Sequence, residues 1–280
     1  MTSPNEPRTA SLYHADHPAG SAVAAVDPAL AAAIVTATLA TYLVVAMLVP
    51  RSIVVMAAQA ALAAVPIAAV VIHRRREPGS PGTALGALGL RPAPRRFFVA
   101  AIAIGATTWY LNMYLVALLP VTERQVRTLA DLVDRPTLAA ALVMFALVPA
   151  VCEELLFRGI LARALGRPLR LAVAAMISAA VFSVYHLSLA QALPTLTLGF
   201  VLALIAIRAD SVLPTVIAHA LNNALAILMS RNELPAVTSW LARHPVAALA
   251  GCAASTALGI AITVRRPDRA DRLTQRPTRS

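Results

Sequence analysis

The sequence predicts an all-α, polytopic transmembrane helix bundle of about eight spans. Three observations point to it. Mean hydropathy is +0.73, with 59% of the 280 residues hydrophobic and 13% charged, far from the balance of an ordinary soluble domain. The apolar residues are grouped into runs of roughly 20, the length a helix needs to cross a bilayer core. The basic residues cluster between those runs. Inside lipid a helix satisfies its own backbone groups, so apolar runs of this length imply helices.

In chain order the spans fall at about 29–49, 52–72, 97–119, 138–164, 170–189, 192–207, 211–230 and 246–264. The sixth is the shortest. Residues 1–28 are polar, hold Pro4, Pro7, Pro18 and Pro28, and carry one arginine against three acids. They lack the positive leader of a secretory signal and read as a disordered tail. Residues 29–76 form an N-terminal helix pair. A loop rich in Arg, Pro and Gly at 77–96 separates it from a core at 97–230. A last span with its preceding loop fills 231–264, and 265–280 is a basic tail. The stretch 122–135 reads as a short surface helix. Cys152 and Cys252 are too few for a disulfide framework and sit in apolar segments, as small hydrophobes do.

A net charge of +11 invites a nucleic-acid reading, but its distribution argues for a membrane. All 24 basic residues are arginine. The clusters "HRRRE", "RPAPRR", Arg163 to Arg170 and the C-terminal tail fall in alternate loops. Placing those loops in the cytoplasm puts both termini there, with eighteen arginines inside. Six lie outside: Arg51, Arg124, Arg127, Arg135, Arg231 and Arg243. This is the positive-inside bias, and it fits anionic lipid as the partner of the arginine loops. Arginine without lysine suggests a GC-rich bacterial genome, hence an inner-membrane location.

Of the thirteen acidic residues, only Glu153 and Glu154 lie within the spans. Of the six histidines, only His186 and His219 do. A charge near the centre of a membrane helix costs about 2.5–3.5 kcal/mol on insertion scales, so ionisable groups there are functional candidates. Glu154 and Arg158 are i, i+4 and can pair. Glu153 is turned about 100° away and has no such partner on its helix. Phe182 and His186 are i, i+4, as are His219 and Asn223. A bundle would turn all of these inward. The depths agree in part. From a cytoplasmic hairpin at 166–168, Glu154 lies about 15–18 Å in, His219 about 12 Å and His186 roughly 25 Å.

These residue types suit hydrolysis. A carboxylate shielded from water can serve as base and then acid near neutral pH, helped by a neutral histidine. A second histidine with an asparagine amide supplies donors for a tetrahedral oxyanion. Alternatively Glu153, His186 and His219 form a three-ligand zinc set. HExxH is absent and asparagine is not a usual zinc ligand, so the metal-free reading is favoured.

"EELLFR", "FSVYH" and "HALNN" fit E-E-x-x-x-R, F-x-x-x-H and H-x-x-x-N, in that order. The pattern resembles the CPBP family of intramembrane proteases, also called the CAAX-protease and bacteriocin-processing or Abi family. The resemblance runs from about 138 to 230, and "LGALGLR" at 85–91 is similar to the segment that often precedes the family's core. It implies a helical bundle with a polar intramembrane cavity. By matching positions, Glu153 and His186 would activate water and His219 and Asn223 would stabilise the oxyanion. Glu154 and Arg158 would brace the site. The family is described both as metallo- and as glutamate-dependent proteases, so the resemblance leaves the metal open.

Blander readings stand beside these. Glu154 and Arg158 also suit a structural ion pair, the histidines and Asn223 interhelical hydrogen bonds, and Asn222 glue between helices. No base is placed beside Cys152 to make it a nucleophile. Trp109, Tyr110 and Tyr114 suit core packing or a substrate groove. A transporter would use similar polar groups, but inverted repeats with broken helices are not seen. A non-catalytic membrane protein that binds peptides or confers immunity is the other alternative.

Overall fold

The computed structural model describes residues 26–50, 53–77 and 82–265. The expected disorder of the first residues and most of the basic C-terminal tail lie outside them. The helices are α1 (Pro28–Leu48), α2 (Val54–Arg76), α3 (Ala84–Ala87), α4 (Arg95–Val116), α5 (Glu123–Asp134), α6 (Leu138–Leu165), α7 (Leu171–Tyr185), α8 (Leu189–Ala209), α9 (Leu213–Ser230), α10 (Pro235–Arg243) and α11 (Pro245–Val264). There is no strand among the described residues. Seven of these helices are long and apolar enough to cross a membrane, and α7 is a shorter apolar helix. The chain is a multi-pass membrane protein.

One expectation is corrected here. The sixth span is not short: α8 has 21 residues. The short one is the fifth, α7, with 15 residues. It stops because Leu187 takes a left-handed conformation (φ 48°) just after His186. Averaged over a span, hydropathy does not register this stop, because His186-Leu187-Ser188 is short and flanked by apolar helices.

Local sequence accounts for the helix ends. Asp27 caps α1, its carboxylate accepting from the Ala29 and Leu30 amides at 3.0 Å, and Pro28 takes the first-turn position that needs no N–H. α2 ends on Arg74, Arg75 and Arg76, cations at the negative end of the helix dipole. α5 begins in a reciprocal capping box between Thr122 and Gln125 and is mostly exposed, as the surface reading expects.

α6 is the axis of the bundle. It packs against α1, α2, α7, α8 and α9. Its backbone is not a plain α-helix: π-helical turns occupy Val143–Leu147 and Leu155–Ala162, on either side of Pro149 and the two glutamates. The outer faces of the bundle carry exposed apolar side chains such as Met47, Val99, Ile102, Val184 and Leu258, as a lipid-facing surface requires.

The 82–95 segment is docked, not a free linker. Arg163, expected in a surface basic cluster, is buried at 2% exposure. Its guanidinium donates to the carbonyls of Ala87 (2.9 Å) and Gly86 (3.0 Å). It also pairs with Asp210 at 2.7 Å. Asp210, left-handed at the end of α8 (φ 50°), binds Arg91 at 2.6 Å as well. Gly159 makes the contact possible, because a Cβ there would collide with the Leu88 carbonyl. An Asp210→Ala variant leaves the Arg163 guanidinium buried without its carboxylate. It should lose about 3–5 kcal/mol of stability, read as a lower melting temperature in detergent. Wild-type melting would show that the loop carbonyls alone hold Arg163.

Candidate active site

α6 brings Glu153, Glu154 and Arg158 to the centre of the bundle, where they are 3%, 0% and 0% exposed. The Arg158 guanidinium donates to Glu154 Oε1 at 2.7 Å, the pair expected from the i, i+4 spacing. It also donates to the Gly199 carbonyl on α8 at 3.2 Å and stacks 4.2 Å over the Phe182 ring on α7. A buried ion pair is tolerable only when its remaining valences are met. Here a carbonyl and an aromatic face meet some of them.

The same Glu154 Oε1 lies 2.8 Å from His219 Nδ1 on α9. A carboxylate paired with arginine accepts, so Nδ1 is the donor and the ring's Nε2 is left for other work. Nε2 is 3.9 Å from Glu153 Oε2. The two glutamates thus face opposite nitrogens of one imidazole.

Glu153, unpaired on its own helix, is met by other helices. Gln59 Nε2 on α2 donates to its Oε1 at 2.9 Å, and the Tyr185 hydroxyl on α7 donates to the same oxygen at 3.4 Å. Spacing did not point to either residue. The signal for Gln59 was present, since it is the one polar side chain in the expected 52–72 span beyond Ser52 at its edge. Tyr185 stands beside His186 in "FSVYH".

His186 follows the last residue of α7. Its Nδ1 is 2.8 Å from the Phe182 carbonyl. A carbonyl only accepts, so Nδ1 carries the proton and Nε2 of the neutral ring is the acceptor. The Phe182 ring lies 4.8 Å from the His186 ring and 5.9 Å from the His219 ring, centroid to centroid. One aromatic ring therefore contacts both histidines.

Asn223 is placed differently from His219. Its amide donates to the Phe145 carbonyl at 3.1 Å. Pro149, four residues on, offers that carbonyl no N–H, so Asn223 replaces a missing backbone bond. Asn222 binds helices together as expected, accepting from Thr108 at 2.9 Å, and donates to Asn223 Oδ1 at 3.1 Å. Trp109, Tyr110 and Tyr114 stack edge to face, and the first two are buried against Ala248 of α11.

No three His, Cys, Asp or Glu side chains converge as a metal set among the described residues. Glu154 holds Nδ1 of His219, and Nε2 of the same ring stands 3.9 Å from Glu153 Oε2.

The ion pair generates a prediction. Arg158→Ala strands Glu154 beside a histidine in a dry site and removes the stack on Phe182. Stability should fall by about 3–5 kcal/mol, measured by thermal unfolding in detergent. Unchanged melting would refute the brace.

No curated protein and no solved structure matches the chain. A family model does, that of the type II CAAX prenyl endopeptidase Rce1-like proteins. It covers residues 135–225, the segment from the start of α6 to the middle of α9. All three motifs lie inside that segment, so the resemblance to the CAAX-protease family, read from EELLFR, FSVYH and HALNN, holds at the level of the family model.

Proposed function

We propose that the chain is an intramembrane endopeptidase acting on a membrane-associated protein or peptide. The observation that carries this reading is the buried Glu153–His219–Glu154 arrangement, with His219 held at one nitrogen and turned toward Glu153 at the other. Hydrolysis needs a base for water and a donor for the oxyanion, both shielded from bulk solvent.

In this mechanism Glu153, assisted by Nε2 of His186, takes a proton from water as the water oxygen bonds to the scissile carbonyl carbon. His219 in its doubly protonated form donates from Nε2 to the oxyanion, with Glu154 facing the positive ring. The second N–H of the Asn223 amide is the other donor. Glu153 then returns its proton to the leaving nitrogen as the C–N bond breaks, giving a carboxylic acid and an amine, between which a proton then passes to leave carboxylate and ammonium. No step is routed through a metal. A substrate helix must unwind at the site, because a helix hides its peptide bonds. The arginine usage argues for a bacterial inner-membrane setting and against a prenyl group on the substrate.

Purified protein should cleave members of a membrane-tethered peptide library, with chelator present, and Glu153→Gln should abolish cleavage without loss of folded protein. Chelator-sensitive turnover with stoichiometric zinc would overturn the metal-free mechanism. Wild-type turnover by Glu153→Gln would overturn the role of Glu153. Peptide binding without turnover by the wild type would favour the non-catalytic reading.

Orientation is part of the same proposal. The arginine loops face the cytoplasm and its anionic lipids, and the site opens toward that side. Arg170, exposed between α6 and α7, reports on it. On a background without Cys152 and Cys252, Arg170→Cys should react with a membrane-impermeant thiol reagent in inverted vesicles and not in intact cells. The reverse pattern would invert the topology.

A further inference from the structure

The strongest unassigned group in the molecule is Gln59. It sits on α2, outside the 135–225 segment that matches the family model, and is 8% exposed. Its neighbours along the helix are apolar: Val54, Val55, Met56, Ala57, Ala58, then Ala60 to Val65. Packing alone gives no reason for an amide in that row. In lipid a polar side chain on such a helix must find a partner or stand as a cost.

Its partner is the glutamate proposed as the base. Gln59 Nε2 donates to Glu153 Oε1 at 2.9 Å, the shortest contact Glu153 makes with another side chain among those described. The amide's own oxygen, Gln59 Oε1, is buried and has no hydrogen-bond partner. A structural glutamine would satisfy both ends. This one satisfies only the end that faces the carboxylate.

The second donor to Glu153 Oε1 also depends on the N-terminal helix pair. Tyr185 donates from α7 at 3.4 Å. Its ring packs edge to face on Tyr42 of α1, with centroids 4.9 Å apart. α1 therefore backs one donor and α2 supplies the other. Both act on Oε1, which leaves Oε2 as the oxygen that faces His219 Nε2.

We infer that Gln59 is a positioning residue for Glu153: its amide N–H holds Oε1 so that Oε2 is presented as the base, while its unpaired carbonyl awaits an O–H or N–H donor arriving with water or substrate. The inference rests on the reading of the chain as a protease with Glu153 as base. It makes the α1–α2 pair part of the catalytic apparatus, although that pair lies outside the segment that carries the motifs. A carboxylate free to rotate would spend less time in the productive geometry, and a misplacement of about 1 Å at a reacting group can cost about 100-fold in rate.

The test uses the full chain, purified in detergent, with a cleaved member of the peptide library. Gln59→Met keeps the length and removes the donor. Gln59→Asn keeps the amide but is one carbon shorter, so it falls short of Glu153. Both are compared with wild type and Glu153→Gln. Each Gln59 variant should lower kcat by about 10- to 100-fold, leave KM within about twofold, and melt within about 4 °C of wild type. A folded variant with wild-type kcat, beside an inactive Glu153→Gln, overturns the inference and spares the protease reading. A raised KM with intact kcat moves Gln59 to substrate binding and also overturns it. Loss of folded protein in both variants would make Gln59 a structural residue, again against the inference. Absence of turnover in wild type, or an active Glu153→Gln, removes the reading itself and the inference with it.

Discussion

One carboxylate oxygen ties this bundle together. Glu154 Oε1 accepts from Arg158 on its own helix and from His219 on α9. Arg158 carries the link onward to the Gly199 carbonyl of α8 and the Phe182 ring of α7. Four helices thus meet through one ion pair in a site with no access to water for either partner. The Coulombic attraction in such a setting is large, but so is the penalty of burying the charges. The arrangement holds only while every partner is in place. That makes it a device for fixing geometry more than for adding stability, and His219 is the group whose orientation it fixes.

The backbone of α6 is irregular around the same glutamates. Glu153 and Glu154 close its α-helical segment Val148–Glu154, about 100° apart. The π-helical turn that follows immediately, and the one before Pro149, belong to a class of distortion found frequently at functional sites. Pro149 removes a backbone donor in the middle of a membrane helix, and Asn223 of α9 makes good the loss at Phe145. The hydrogen bond that repairs the helix also fixes an amide about one helical turn from His219. Fold and site share the same residue because lipid tolerates no unsatisfied carbonyl.

The helical bundle and the motif residues were legible in the sequence because each leaves a periodic or compositional trace. Apolar runs mark spans, and i, i+4 spacing found the Glu154–Arg158 pair. What was not legible depended on contacts between distant helices. Glu153 looked unpartnered because its donors, Gln59 and Tyr185, come from α2 and α7. Arg163 looked like a surface charge because its neighbours in sequence are arginines, whereas its partners are the Gly86 and Ala87 carbonyls and Asp210. Asn223 shares a helix face with His219, yet its amide bond goes to Phe145. The length of α7 was overestimated because a left-handed residue can end a helix without changing hydropathy.

That short helix has a consequence for the lipid around it. Fifteen residues at 1.5 Å each span about 22 Å, against a hydrocarbon core of about 30 Å. Thinning of the local bilayer is one way to take up such a mismatch. It would bring headgroups and their water closer to both ends of α7, and so to the cluster that Phe182 and His186 join. A guest helix lying along this flank would have fewer of its turns shielded by acyl chains than elsewhere in the membrane. Its backbone amides could exchange helical hydrogen bonds for water at lower cost there. Under the proposed endopeptidase reading, the dimple in the bilayer would do part of the unwinding before any side chain touches the peptide bond.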